Sequence, residues 1–201
     1  MILKAQDCAS QIVDDTRRWL ERAVIGLNLC PFAKAVHIKG QVHYAVSLAL
    51  EPTEVLADLA NELATLVAMS AEVRDTTLLI LPNTLDEFLD FNSFLVRANA
   101  LLRRVSVETV VQIAPFHPHF QFADADESDL ANFTNRSPYP MLHLLREASV
   151  SRALASFPQA EAIYKKNIQT LTVLGVQGWA GLDVGAHENA EKKPHDGQIV
   201  T

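Results

Sequence analysis

The apolar positions of the chain repeat at two periods, and the switching between them predicts its elements. From Ala9 to Leu27, Ile12, Trp19, Ala23 and Leu27 return at helical spacing. Asp14, Asp15, Arg17, Arg18, Glu21 and Arg22 lie between them. Pro31 ends this helix, because a residue before proline is pushed out of the helical region. Over Gln41–Leu50 the period falls to two. Val42, Tyr44, Val46, Leu48 and Leu50 face one way and His43, Ala45, Ser47 and Ala49 the other, as in a half-buried strand. Pro52-Thr53 opens a second helix reaching Ser70, striped by Leu56, Leu59, Leu63, Leu66 and Val67. Thr76–Leu81 is short, apolar on both faces and closed by Pro82, which predicts a central strand. Leu85–Val105 reads as a third helix, with Thr84 as N-cap and Asp86 and Glu87 in its first turn. Thr109–Ala114, rich in β-branched residues and ended by Pro115, reads as a third strand.

The second half of the pattern is less regular. Residues 115–136 are polar and carry no periodicity. Ser137-Pro138 has the form of a helix start, serine as cap and proline at the first helical position, and predicts a fourth helix to Ser156. Pro158 begins a fifth that fades near Leu174. Glycine, charge and proline dominate thereafter, so residues 176–201 read as a mostly disordered tail on a domain of residues 1–175. Trp179 is the one large apolar side chain there, and loss of residues 179–201 is expected to cost about 1 kcal/mol or less. Strands alternating with helices imply an α/β fold. The expected sheet is small, mainly parallel and three-stranded (Gln41–Leu50, Thr76–Leu81, Thr109–Ala114), covered by about five helices. In such a sheet ligands bind beyond the carboxyl ends of the strands, here near Pro82-Asn83 and Phe116 to His119.

Composition narrows the function classes. A chain of 201 residues with 49% hydrophobic and 20% charged residues folds without disulfides or structural metal. Its net charge of -7, with no Lys/Arg cluster, excludes a dedicated nucleic-acid binder. No apolar run is long enough to span a membrane, and Asp7, Gln11, Asp14 and Asp15 interrupt any signal-peptide pattern. Two cysteines, Cys8 and Cys30, suit a reducing compartment, so the expected location is cytoplasmic.

Four places could carry chemistry. His117 and His119, with Cys30 and His143, form a candidate ligand set for a divalent metal such as zinc, provided the loop bends at Pro118. The competing reading is a pair of loop histidines, one exposed and one hydrogen-bonded to backbone. Cys30-Pro31-Phe32 has the look of a thiol-redox turn but lacks the second cysteine, Ala33 standing in its place; a free cysteine is otherwise a small apolar residue. At Asn135, Arg136 and Ser137 the expected helix start would offer N–H groups and a guanidinium to a small anionic molecule. His143 and Glu147, four apart, would share one face of that helix and form an acid/base pair; a capped helix with a surface pair explains the same residues. Asp124, Asp126, Glu127 and Asp129 read as a solvated loop rather than a cation site.

Asn28-Leu29-Cys30-Pro31-Phe32-Ala33, Pro115-Phe116-His117-Pro118 and Asn135 to Glu147 together resemble a family of uncharacterised bacterial proteins, defined as a domain of unknown function. The resemblance runs from the first helix to the fifth. It implies a single bacterial cytoplasmic domain and brings no activity, substrate or catalytic residue with it. Two functional expectations follow. One is an enzyme, metal-dependent or not, acting on a small anionic substrate. Cys30, His117, His143 and Glu147 would be its chemical groups, Arg136 would hold the anion, and residues 120–133 would be a lid. The other is a non-catalytic module that binds a small anion or a partner.

Overall fold

The computed structural model describes residues 2–156 and 160–187. It is a mixed α/β fold with one four-stranded sheet. The described elements are helix α1 (Ile2–Trp19), a π-helical continuation (Leu20–Ile25), α2 (Ala33–Ile38), β1 (Val42–Val46), α3 (Pro52–Ala68) and β2 (Thr76–Ile80). They continue with α4 (Phe88–Arg104), β3 (Val111–Phe116), a 3-10 turn (Leu130–Thr134), β4 (Met141–Arg146), α5 (Glu147–Ser156) and α6 (Ala160–Gly181). The strand order is β1-β2-β4-β3. β1 runs parallel to β2, while β4 is antiparallel to both β2 and β3.

The three expected strands are present and run in one direction, but they are not neighbours throughout. β4 is inserted between β2 and β3, where a helix from Ser137 was expected. Locally, Leu142, Leu145 and the Ser-Pro start suit a helix. The sheet decides otherwise: without β4, β2 and β3 would each leave a row of backbone N–H and C=O groups unpaired in the interior. Met141, Leu142 and Leu144 are fully buried, filling both faces of the sheet as a central strand must. Thr76–Ile80 is buried at every position, as its apolar run required.

Each face of the sheet has its own core. Leu79, Leu81, Leu142, Leu144 and Val111 pack with Val55, Leu59, Leu63 and Leu66 of α3 and Phe91, Phe94, Ala98 and Leu101 of α4. On the other face Leu78, Ile80 and Met141 pack with Ile12, Trp19, Leu20 and Ala23. α3 starts with a capping box, the Glu51 and Glu54 carboxylates each taking the other's backbone N–H, and with proline in its first turn. Its C-terminus is tied by Arg146, whose Nη2 donates to the carbonyls of Leu66, Met69 and Arg74 at 2.6, 2.7 and 2.9 Å.

The chain after α5 also departs from expectation. α6 runs past Leu174 to Gly181, with a kink at Gly175, whose φ of 64° glycine adopts without strain. Trp179 stands edge-on to Phe133 at 5.0 Å between centroids, and Val184 is buried. Residues 176–187 are therefore docked rather than disordered, because the chain beyond the kink still carries Trp179, Leu182 and Val184 for the core. The remainder of the expected tail, 188–201, lies outside the described residues.

Candidate functional site

Beyond the carboxyl ends of β1 and β2 lies an open cleft of about 500 Å³. One wall is the turn after β1, from Leu50 into Pro52 at the start of α3. The other is the β2–α4 loop, which contributes Asp86, and one stripe of α4, along which Asp90, Ser93 and Arg97 recur at helical spacing. Its floor includes Leu85, a non-glycine residue at φ 61°. Such a conformation costs on the order of 1–3 kcal/mol and persists only where its surroundings impose it.

His117 is what holds it. Its ring is fully buried against Phe91 and Phe88, at 5.1 and 5.4 Å between centroids. Nδ1 accepts the His119 backbone N–H at 3.0 Å, so the proton sits on Nε2, which donates to the Leu85 carbonyl at 3.1 Å. Burial pushes the imidazole down to about 4, although the bond to Leu85 favours the charged form. His117 is thus a neutral clamp on the cleft's loop, and it has no nitrogen left for a metal.

The remaining expected site residues are dispersed. His143 lies on β4, not on a helix, between Leu78 and Ala114. It shares the α1 face with Met141, whereas His117 is on the α3/α4 face. Its Nε2 is 2.7 Å from the Thr76 hydroxyl. That hydroxyl donates to the Leu144 carbonyl, so His143 must be the donor; burial holds its imidazole near 4. Glu147 opens α5, and its backbone N–H donates to Val110. Along an extended strand, four residues put His143 and Glu147 about 13 Å apart. The acid/base pair is therefore not formed. Cys30 packs against the α1-face core as a small apolar side chain. His119 is exposed. Among the described residues no three His, Cys, Asp or Glu side chains converge to hold a metal ion, so the set Cys30, His117, His119 and His143 is not assembled.

Asn135, Arg136 and Ser137 lie in a loop before β4 and cap no helix. Asn135 Nδ2 donates to the Pro115 carbonyl at 3.1 Å. Ser137 Oγ donates to the Tyr139 carbonyl at 2.6 Å. The Arg136 guanidinium lies over the Phe133 ring at 4.3 Å and donates to the Glu127 carbonyl at 2.9 Å. It is spent on fastening the loop, not on an anion. The expected lid is likewise pinned. Asn132, fully buried, takes the Phe122 N–H and donates to the carbonyls of Asp126 and Glu127.

Sequence reasoning passed over one polar centre. Asp15 is fully buried on α1. Its carboxylate accepts from Gln11 Nε2 at 2.9 Å, Tyr139 Oη at 2.8 Å and the His187 backbone N–H at 2.9 Å. The His187 ring and Arg18 complete the shell. Burial alone would raise this carboxyl, but the donors, led by the His187 N–H, hold it below the usual range. In turn, Tyr139 is desolvated beside the carboxylate and its phenol is pushed up. The clue was available: Asp15 falls inside the stripe Ile12–Trp19, where an apolar residue is due.

A family model described as "Protein of unknown function (DUF1415)" matches residues 11–181. No curated protein and no solved structure matches the chain.

Proposed function

The chain belongs to the DUF1415 family, whose function is unknown, and from its geometry we propose that it is a non-catalytic module binding a small polar molecule. The site is the cleft past β1 and β2. The observation that carries this reading is Leu85, held at φ 61° by a buried histidine on the floor of that cleft. Residues strained in this way cluster at ligand clamps and binding sites, where the strain helps to shape the site. The position is also the one where an α/β sheet offers loops and helix starts to a ligand.

The lining sets the ligand's chemistry. Glu51, Asp86 and Asp90 face a single guanidinium, Arg97. The Glu51 carboxylate is engaged by the start of α3, which leaves Asp86 and Asp90 at one end and Arg97 at the other. Asp90 and Arg97 lie two helical turns apart, about 10 Å along α4. This arrangement suits a ligand with a basic nitrogen, and disfavours the simple anion expected earlier. A catalytic role for Cys30, His117, His143 and Glu147 is not carried forward, since those side chains do not meet.

Titration calorimetry with small amines, diamines and amino acids tests the proposal. At least one basic compound should bind the wild-type protein and lose about tenfold or more in affinity with Asp90→Asn. If binding is unchanged by both Asp90→Asn and Arg97→Ala, the cleft is not the site.

A further inference from the structure

The cleft beyond β1 and β2 is braced by its own hydrogen bonds. Asn83 Nδ2, on the loop after β2, donates to the Leu48 carbonyl at 3.4 Å and so ties the two walls together. Leu50 is fixed through its backbone N–H, which the Glu54 carboxylate accepts at 3.1 Å. Leu85 on the floor is set by His117. A ligand therefore meets groups whose positions are already decided, and little further ordering opposes its binding.

The charges in the cleft are sorted by sign. Asp86 and Asp90 stand at one end and Arg97 at the other. Among the described residues no ion pair joins either aspartate to Arg97. The Arg97 guanidinium carbon is 5.9 Å from the centre of the Phe94 ring, so this side chain leans back along α4 towards Asp90. Asp90 is much shorter and leans less. The charged ends are thus nearer than the roughly 10 Å of helix rise between the two residues. A charge-assisted contact takes about 2.8 Å at each end, which leaves roughly 4 Å or less between a ligand's nitrogen and its carboxylate oxygens. An α-amino acid fits that span, and an extended dipeptide exceeds it. The same charges reject other ligands. A diamine sets its second ammonium against Arg97, and a dicarboxylate sets one end against two aspartates. The opposite wall reads the side chain: there Leu50, 68% exposed, and Pro52 offer an apolar surface.

We propose that this cleft takes a free α-amino acid with an aliphatic side chain. Asp86 and Asp90 hold its ammonium, Arg97 its carboxylate and Leu50 its side chain. This rests on the cleft being the binding site, and adds to that reading a second charge and an apolar contact.

Titration calorimetry of the full chain with L-leucine, isoamylamine (leucine without its carboxylate) and isocaproate (leucine without its amino group) provides the test. L-Leucine should bind about tenfold or more tighter than either of the others. Arg97→Ala should weaken leucine about tenfold and leave the amine unchanged, while Asp90→Asn should weaken both. Both residues are exposed, so both variants should fold. An amine that binds as tightly as leucine and still depends on Asp90 would overturn the amino-acid assignment and leave the cleft as the binding site. Equal losses for leucine and the amine in Arg97→Ala would do the same. Leucine that fails to bind would also overturn the assignment, and the wider set of amines then decides the cleft. Leucine binding untouched by both substitutions would overturn the assignment and the cleft together.

Discussion

Lowering the pH from 7.5 to 5 should destabilise the protein by several kcal/mol, and His117 should account for about half of the loss. Its imidazole is buried, neutral and held near 4, against 6.5 for a solvated histidine. The sign follows from proton counting. Below 6.5 the unfolded chain binds a proton that the folded protein refuses until the pH nears 4, so folded stability falls over that window. The effect is about 2 kcal/mol at pH 5 and about 3 kcal/mol below pH 4. His143, held near 4 by burial on the opposite face, adds a similar amount. Asp15 does not interfere. Its lowered carboxyl contributes stability that is present above about pH 4 and is lost only as the pH falls further. Urea denaturation at pH 7.5, 6.5, 5.5 and 5.0 measures the slope directly. His117→Gln keeps a neutral amide that reaches the Leu85 carbonyl and removes the titration, so about half the slope should disappear. A stability that is flat from pH 7.5 to 5, or a slope unchanged in His117→Gln, would refute the buried neutral clamp.

Other consequences concern single sites. Ser106 ends α4 at φ 58° in a Schellman turn, with Ser106 N–H to the Arg103 carbonyl and Val107 N–H to the Leu102 carbonyl. Ser106→Gly should therefore raise stability by about 1 kcal/mol in thermal or chemical denaturation. Trp179→Ala, which removes the edge-on contact with Phe133, should cost about 2 kcal/mol and several degrees in Tm. Arg146→Met leaves the carbonyls at the end of α3 without their shared donor and should cost about 2–3 kcal/mol by urea denaturation.

Much of the fold was legible because local pattern and tertiary need agree. Thr76–Ile80 is apolar on both faces and sits between two strands. The Pro52 start and the leucines of α3 announce a helix that the sheet can use. β4 was illegible for a definite reason: Met141–Arg146 follows a helix-like start and is claimed by β2 and β3, partners that lie far away in sequence. The docked stretch after Gly175 was hidden because its anchors, Asp15 and Arg18 on α1 and Arg22 on its π-helical continuation, lie far away in sequence. Of the cleft, Pro82-Asn83 at the end of β2 was foreseeable from topology alone. Asp90, Ser93 and Arg97 were not, since the polar stripe of a ligand-facing helix looks the same in sequence as a solvated one. Of the two readings of the histidine pair, the structure fits the plainer one: His119 is exposed and His117 is hydrogen-bonded to backbone, its doubly bonded ring offering no chemistry.

The central claim is that the cleft beyond β1 and β2 is the binding site. Backbone amide NMR of the wild-type protein, titrated with a basic small molecule that binds, tests it most directly. The perturbed amides should cluster on Leu50, Glu51 and residues 83–97, and Arg97→Ala or Asp90→Asn should weaken the perturbation. Perturbations centred on another surface, with residues 83–97 unmoved, would contradict the account.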